Sequence, residues 1–140
     1  MEKDKWIDNV GRNIVFNKNG LKFYTACLWI ASLQNNTSPI DSLRKRQIDS
    51  VIVYGITEFG ELFVKEAINE QFNVKAITDK SVNNGNYTYN SIPVIPIDGL
   101  LSSQYRHEYI VITAMSFERE IREELNAIGL KNIISLLDLL

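Results

Sequence analysis

The residues best suited to do chemistry in this chain form one short run, residues 51–62, in which two glycines follow a block of β-branched residues. Gly55 could make a sharp turn at the end of a strand, and Gly60 would let the following helix pack closely on the sheet. The first N–H groups of such a helix have no helical partners and, together with the helix dipole, attract an anion. The run therefore predicts a site for the phosphates of a nucleotide.

The residues between the two glycines leave a second interpretation open. Thr57 stands where dinucleotide-binding turns have their middle glycine, although its hydroxyl could still donate to a phosphate. Glu58 adds a carboxylate beside the expected anion and would repel it. Ile56 and Phe59 complete the turn and the start of its helix. The pattern thus predicts either a nucleotide site at residues 55–60 or a tight turn without a ligand.

A second group of candidate residues follows the neighbouring strands. Asp79 comes about 20 residues after Gly60, where an acid in dinucleotide-binding folds accepts hydrogen bonds from the ribose hydroxyls. It could equally bond the backbone of its own turn, and Lys80 beside it could meet a phosphate. Because parallel strands end at one edge of a sheet, we expect Thr113 and Ala114 in the same crevice.

The elements that must position these residues alternate short β-branched runs with amphipathic helices, which is typical of βαβ units. Strands are predicted at 50–54, 74–78, 92–95, 109–113 and 132–135, and helices at 58–71, 98–103 and 116–128. Residues 48–140 are therefore expected to form a Rossmann-like, three-layer α/β domain with a mostly parallel sheet of about five strands.

Residues 1–47 are expected to form an N-terminal helical extension that begins with a helical hairpin. Its first helix, residues 4–16, would carry an apolar stripe made of Trp6, Ile7, Val10 and Ile14. Its second helix, residues 21–34, is apolar nearly all round and must be covered on most sides. We expect that cover to come from a homodimer, from a partner domain, or from the Rossmann-like domain of the same chain through a sheet edge or a helix.

Two helix ends are marked by individual residues. Ser38 can cap a short helix that runs through Arg46, and Pro39 suits the first helical position because its ring fixes φ. Gly129 is expected to end the last helix in a left-handed conformation.

Composition excludes several classes of protein. The 140 residues carry a formal net charge of −2, with 45% apolar and 23% charged residues, which is ordinary for a globular domain and gives no reason to expect nucleic acid as a partner. The single cysteine, Cys27, excludes an internal disulfide and a multi-thiolate metal site.

The longest apolar stretch, residues 21–33, is shorter than the about 20 residues that cross a bilayer. Without an apolar signal-peptide core at the N-terminus, we expect a cytoplasmic protein.

The sequence offers no recognisable catalytic set. No lysine has a tyrosine four residues before it, so the Tyr–Lys pair of short-chain dehydrogenases is missing. His107, the only histidine, lies between Arg106 and Glu108, where a solvated side chain is expected. The glutamates of residues 118–124 alternate with arginines and predict an exposed helix face rather than a metal site. The catalytic residues, if the protein is an enzyme, stay unassigned.

From Ser50 onward the chain resembles the N-terminal nucleotide-binding domains of bacterial capsular polysaccharide epimerase/dehydratases and sugar O-acyltransferases. The segments that carry the resemblance are residues 54–60, 76–80, 91–94, 109–113 and 121–129. The resemblance implies that NAD(H) or a UDP-sugar binds between the glycine turn and the loop after the acidic strand. It also implies that Gly55, Thr57, Gly60 and Asp79 make the contacts.

Three functions follow as expectations. The first is a nucleotide-binding accessory or regulatory domain of bacterial surface polysaccharide metabolism, with a small-molecule nucleotide as its partner. The second is part of an NAD-dependent nucleotide-sugar oxidoreductase, epimerase or dehydratase that needs a separate substrate domain. The third is a vacant Rossmann fold used for oligomerisation, which the apolar helix over residues 24–33 favours.

Overall fold

The computed structural model describes residues 18–85 and 87–140, which form an α/β domain. Its helices are α1 (Lys18–Gln34), α2 (Pro39–Lys45), α3 (Glu58–Asn69) and α4 (Glu118–Ala127). Its strands are β1 (Ser50–Tyr54), β2 (Asn73–Thr78), β3 (Tyr87–Tyr89), β4 (Ile92–Ile95), β5 (Tyr109–Ile112) and β6 (Ile133–Ser135). Short 3₁₀ helices lie at Ile97–Leu101, Met115–Phe117 and Leu136–Leu139.

The six strands form one sheet in the order β3-β4-β2-β1-β5-β6. Every neighbouring pair is parallel except β3 with β4, which is antiparallel. The carboxyl ends of β1, β2, β4 and β5 consequently lie along one edge of the sheet. Any crevice formed by the loops that follow these strands must lie at this edge.

Helices cover both faces of the sheet, as a buried parallel sheet requires. Alternate residues of β1 point to opposite faces: Val53 packs in the hydrophobic core beneath α3, whereas Ile52 packs in the core beneath α4. The first core also takes Trp29 from α1 and Leu43 from α2. The segment before β1 therefore shares a hydrophobic core with the sheet.

The predicted helix ends at Ser38, Pro39 and Gly129 are confirmed. Ser38 accepts a hydrogen bond from the Asp41 N–H and donates its own N–H to the Asp41 carboxylate, which completes a capping box with Pro39 at the start of α2. Gly129 has a φ of 95°, in the left-handed region that glycine adopts without strain.

The sheet differs from the prediction by one strand. The extra strand, β3, pairs with β4 through a two-residue turn, Asn90 and Ser91, whose φ angles of 49° and 66° match the twist of a hairpin. The predicted helix at residues 98–103 is the 3₁₀ helix Ile97–Leu101, and the helix predicted at residues 116–128 begins in 3₁₀ form. The second helix of the predicted hairpin is present as α1, whereas the first, residues 4–16, lies outside the described residues.

Across residues 18–85 and 87–140, no helix has the length and apolarity needed to span a membrane.

Candidate functional site

The turn between β1 and α3 has the shape that its glycines predict. Gly55 has a φ of 134°, and its N–H donates to the Thr78 carbonyl of the neighbouring strand at 2.9 Å. A Cβ atom at Gly55 would lie 2.6 Å from Oγ1 of Thr113 and 2.8 Å from the backbone nitrogen of Ala114. A Cβ atom at Gly60 would overlap the carbonyl oxygen of Gly55. Both glycines are therefore required by the turn itself, whether or not a ligand binds.

Thr57 and Phe59 have structural roles in the first turn of α3. Oγ1 of Thr57 accepts a hydrogen bond from the Gly60 N–H at 3.2 Å and so caps the helix. The hydroxyl proton of Thr57 stays available to a ligand, because the cap uses only a lone pair. The ring of Phe59 stacks on Trp29 of α1, with ring centroids 6.2 Å apart, and therefore packs towards α1.

Thr113 and Ala114 pack against the backbone of the glycine turn. Thr113 is fully buried, and its hydroxyl lies 3.1 Å from the Tyr54 carbonyl oxygen and 3.2 Å from that of Gly55, so it donates to the end of β1. Ala114 is also buried. The structure brings both residues to the glycine turn, as the sequence predicts, but as support beneath its backbone.

The carboxylate of Asp79 closes the turn at the carboxyl edge of the sheet. One oxygen accepts the Ile56 N–H at 2.8 Å, and the other accepts the Ser81 N–H at 2.9 Å. The bond from Ser81 belongs to the local backbone turn that was one interpretation of Asp79 from the sequence. The bond from Ile56 connects the residue after β2 to the glycine turn. Lys80 forms an exposed ion pair with Glu124 of α4, with 2.7 Å between Nζ and Oε1.

A cavity of about 420 Å³ opens beside the glycine turn, between the first half of α3 and the β3–β4 hairpin. The described residues between β2 and β3, residues 79–85, form no helix. Buried apolar side chains, three from strands and one from α3, line its interior: Val53, Ile77, Val94 and Val64. The other lining residues are Gly55, Ile56, Thr57, Glu58, Gly60, Glu61, Tyr87 and Tyr89.

The charged groups that line this cavity are acidic. Glu58 is exposed at its rim and has no ion pair with another of the described residues, whereas Glu61 pairs with Lys65 at 3.0 Å. None of the residues that line the cavity is a lysine, arginine or histidine. The cavity therefore suits an uncharged or hydrogen-donating group better than a phosphate.

On the opposite face of β1, the Tyr54 side chain is buried and its hydroxyl has no hydrogen-bond partner among the described residues. Burial, with smaller contributions from the charges of Glu124 and Asp79, raises the pKa of Tyr54 to about 12. The group is neutral at physiological pH.

The remaining titratable candidates lie apart from the cavity. His107 is exposed, and its carbonyl accepts a hydrogen bond from the Asn132 side chain. On α4, Glu118 pairs with Arg122 at 3.0 Å and Glu123 pairs with Arg119 at 3.3 Å, as the alternation of charges predicts.

Sequence reasoning missed the two tyrosines of the cavity. Tyr87 and Tyr89 are two residues apart, the spacing that places side chains on one face of a strand. That spacing was their only signal, because a three-residue strand is too short to be recognised by alternation.

A family model described as C2185-like, N-terminal, matches residues 47–134, which is more than half of the chain, and the chain belongs to this family. Neither the curated proteins nor the solved structures contain a significant match.

Proposed function

We propose that this member of the C2185-like N-terminal family is a nucleotide-binding module with a Rossmann-like arrangement, and that its ligand is NAD(H) or a UDP-sugar. The observation that carries the proposal is the cavity of about 420 Å³ that adjoins the Gly55 turn. Its size lies within the range of about 300–1,000 Å³ that is usual for small-molecule sites. An accessory or regulatory role in bacterial surface polysaccharide metabolism follows from the resemblance of residues 50–140 and is part of the same proposal.

The order of the strands supports a ligand at this edge. From β1 the chain builds outward through β2 and β4 on one side and through β5 and β6 on the other. In open parallel sheets, ligands bind outside the carboxyl ends of the strands where the order reverses. The Gly55 turn lies at the end of β1, at this reversal.

The donors that a phosphate would use lie at the mouth of the cavity. The N–H groups of Glu58 and Phe59 occupy the first turn of α3, where no helical partner exists, and the Thr57 hydroxyl is beside them. The Ile56 N–H is already bonded to Asp79, and the Glu58 and Asp79 carboxylates oppose an anion. We therefore expect phosphates to bind at the outer side of the turn and to contribute modestly to the affinity.

The proposal is tested by measuring the thermal stability of the full chain with NAD, NADP, UDP-sugars and coenzyme A. A ligand at 100 times its dissociation constant should add about 2.7 kcal/mol to the free energy of unfolding. A chain that none of these compounds stabilises at millimolar concentration would refute the proposal.

Substitutions at Thr57 make a better control than substitutions at the glycines, which the turn needs in order to form. Thr57→Ser keeps the hydroxyl and should keep the nucleotide-dependent stabilisation. Thr57→Val keeps the shape but loses both the hydroxyl donor and the cap on the Gly60 N–H. It should lower the stability of the ligand-free protein by about 1 kcal/mol and should also reduce the stabilisation by diphosphates, so each variant is measured against its own ligand-free protein. Equal responses of both variants would remove Thr57 from the phosphate contact.

A second candidate function is association through α1. Three large apolar side chains of α1 are well exposed: Phe23, Ile30 and Leu33, at 58%, 58% and 50%. They lie seven and three residues apart, a spacing that aligns side chains for packing against another helix. Light scattering of the intact chain tests this: a mass near the 16.0 kDa monomer at tens of micromolar would exclude a homodimer.

A further inference from the structure

We propose that the cavity holds the base of the nucleotide and prefers an adenine, which carries an amino group, over a uracil. This inference rests on the nucleotide function proposed above and distinguishes between its two ligands, because NAD carries adenine and a UDP-sugar carries uracil. The features that carry it are the apolar floor of the cavity, the tyrosines that line it and the carboxylates at its rim.

The interior of the cavity suits a flat, weakly polar ring. Val53, Ile77 and Val94 come from three adjacent strands and are 0%, 5% and 1% exposed, so they form a continuous apolar floor. Tyr87 and Tyr89 line the same cavity from β3. Nucleic-acid bases stack on aromatic side chains, and such contacts are sequence-tolerant because every base has a π-face. The floor and the tyrosines explain why a base would enter but do not distinguish one base from another.

The rim of the cavity supplies the selectivity. Glu58 and Glu61 carry carboxylates, which can only accept hydrogen bonds. Adenine presents an exocyclic amino group that donates to a carboxylate, whereas uracil presents a carbonyl oxygen at the equivalent position, as thymine does. A carbonyl oxygen beside Glu58 would leave both groups without a donor, and two acceptors in contact repel each other. Glu58 matters more than Glu61, whose carboxylate is already bonded to Lys65.

The charge of the cavity explains why the base, rather than the phosphates, should occupy it. No cationic side chain is present among its lining residues, and two carboxylates are. A diphosphate inside would meet like charges at short range in a partly desolvated site. Adenosine, which has no phosphate, should therefore retain most of the affinity of the corresponding nucleotide.

The test is calorimetric binding of adenosine, uridine, NAD and UDP-N-acetylglucosamine to the full chain. We expect adenosine and NAD to bind at least tenfold more tightly than uridine and the UDP-sugar.

Tyr87→Ala should weaken adenosine binding at least about fivefold, the lower end of what base stacking contributes, and Tyr87→Phe should not. Tyr109→Ala is the matched control. Tyr109 is also partly exposed, but it is the first residue of β5 and therefore lies at the amino-terminal end of the parallel strands.

A second variant tests the rim without altering the hairpin. Glu58→Gln should narrow the ratio of adenosine to uridine affinity, because the amide can donate to the uracil carbonyl, whereas Glu123→Gln on the exposed face of α4 should leave the ratio unchanged. Uridine binding equal to or tighter than adenosine binding would overturn the inference and leave the nucleotide function standing. Adenosine binding that neither Tyr87→Ala nor Glu58→Gln changes would also overturn it, by placing the base elsewhere. Failure of all four compounds to bind would overturn the nucleotide function and this inference together.

Discussion

At the scale of single residues, the Tyr54 hydroxyl is buried without a hydrogen-bond partner among the described residues, which makes it a source of instability. Tyr54→Phe keeps the ring in its core and removes the desolvated hydroxyl. We expect the free energy of unfolding, measured with urea, to stay equal or to rise by up to about 1 kcal/mol. A fall of more than about 1 kcal/mol would show that the hydroxyl makes a hydrogen bond in solution.

Glu108 gives the clearest expected dependence of stability on pH. Burial alone would raise the pKa of its carboxyl, but hydrogen bonds from Ser50 at 2.6 Å and Lys75 at 2.9 Å, with the lysine charge, lower it below the ordinary value of 4.5. The folded chain thus binds this proton less tightly than the unfolded chain does. Its contribution to stability is full above pH 4.5 and is lost as the pH falls through the folded pKa.

We therefore expect Glu108→Gln to lower the free energy of unfolding by about 1 kcal/mol near neutral pH, and the difference from wild type to shrink below about pH 4. Urea denaturation of both proteins across the acidic range measures this. Glu123→Gln, at a well-exposed side chain, should change the stability by less than about 0.5 kcal/mol at every pH. A Glu108→Gln deficit that stays constant into acid would mean that the charge of Glu108 is not what stabilises the fold.

Residue roles could be predicted where they depend on the local chain. Gly55 and Gly60 were recognised because a sharp βα turn needs those residue types at that spacing. The bracing by Thr113 and the bond from Ile56 to Asp79 could not be predicted, because both depend on how β1 is aligned with β5 and β2. The ligand contacts expected at these residues, including Lys80, stay predictions.

At the scale of elements, the start of α2 is fixed by a capping box that can be tested alone. Ser38→Ala removes the acceptor of the Asp41 N–H, which lies 3.2 Å from Oγ, and should lower the free energy of unfolding by about 1 kcal/mol. Ser103→Ala, in an exposed turn, is the control and should have little effect. Chemical denaturation of both variants checks the difference. If Ser38→Ala is no more destabilising than the control, the cap does not hold α2 in place.

Element prediction succeeded where the periodicity was long and failed where it was short. β1, α3 and β2 were located within two residues because an apolar run, a turn and an amphipathic helix follow each other over residues 50–78. The β3–β4 hairpin was missed because β3 has three residues and its turn is Asn-Ser instead of the Asn-Gly that usually marks such hairpins. Without β3, the sequence could not predict that Tyr87 and Tyr89 line the cavity.

At the scale of the whole molecule, α1 has two apolar sides with different surroundings. On the inward side, Trp29 is 6% exposed and belongs to the core beneath α3, stacked on Phe59. On the outward side, Phe23 and Ile30 are largely exposed. The rest of the same chain thus covers one side of this helix, through Phe59 of α3 and the 3₁₀ helix Met115–Phe117, which was one of the expected alternatives. The outward side is the part that a second copy of the chain would cover in the proposed association.

Adjacent residues on these two sides allow the two roles of α1 to be separated. Trp29→Ala should lower the free energy of unfolding by about 3–5 kcal/mol, because it leaves a cavity in the core, and deletion of residues 1–37 should unfold the chain for the same reason. Ile30→Asp should leave the stability of the monomer within about 1 kcal/mol, since the side chain is exposed.

If two copies associate through α1, light scattering should report a dimer for wild type and a monomer for Ile30→Asp, because a buried, unpaired carboxylate is strongly unfavourable at an interface. A dimer that survives Ile30→Asp would show that another surface makes the contact, and a stable, folded chain after deletion of residues 1–37 would show that Trp29 is not part of the core.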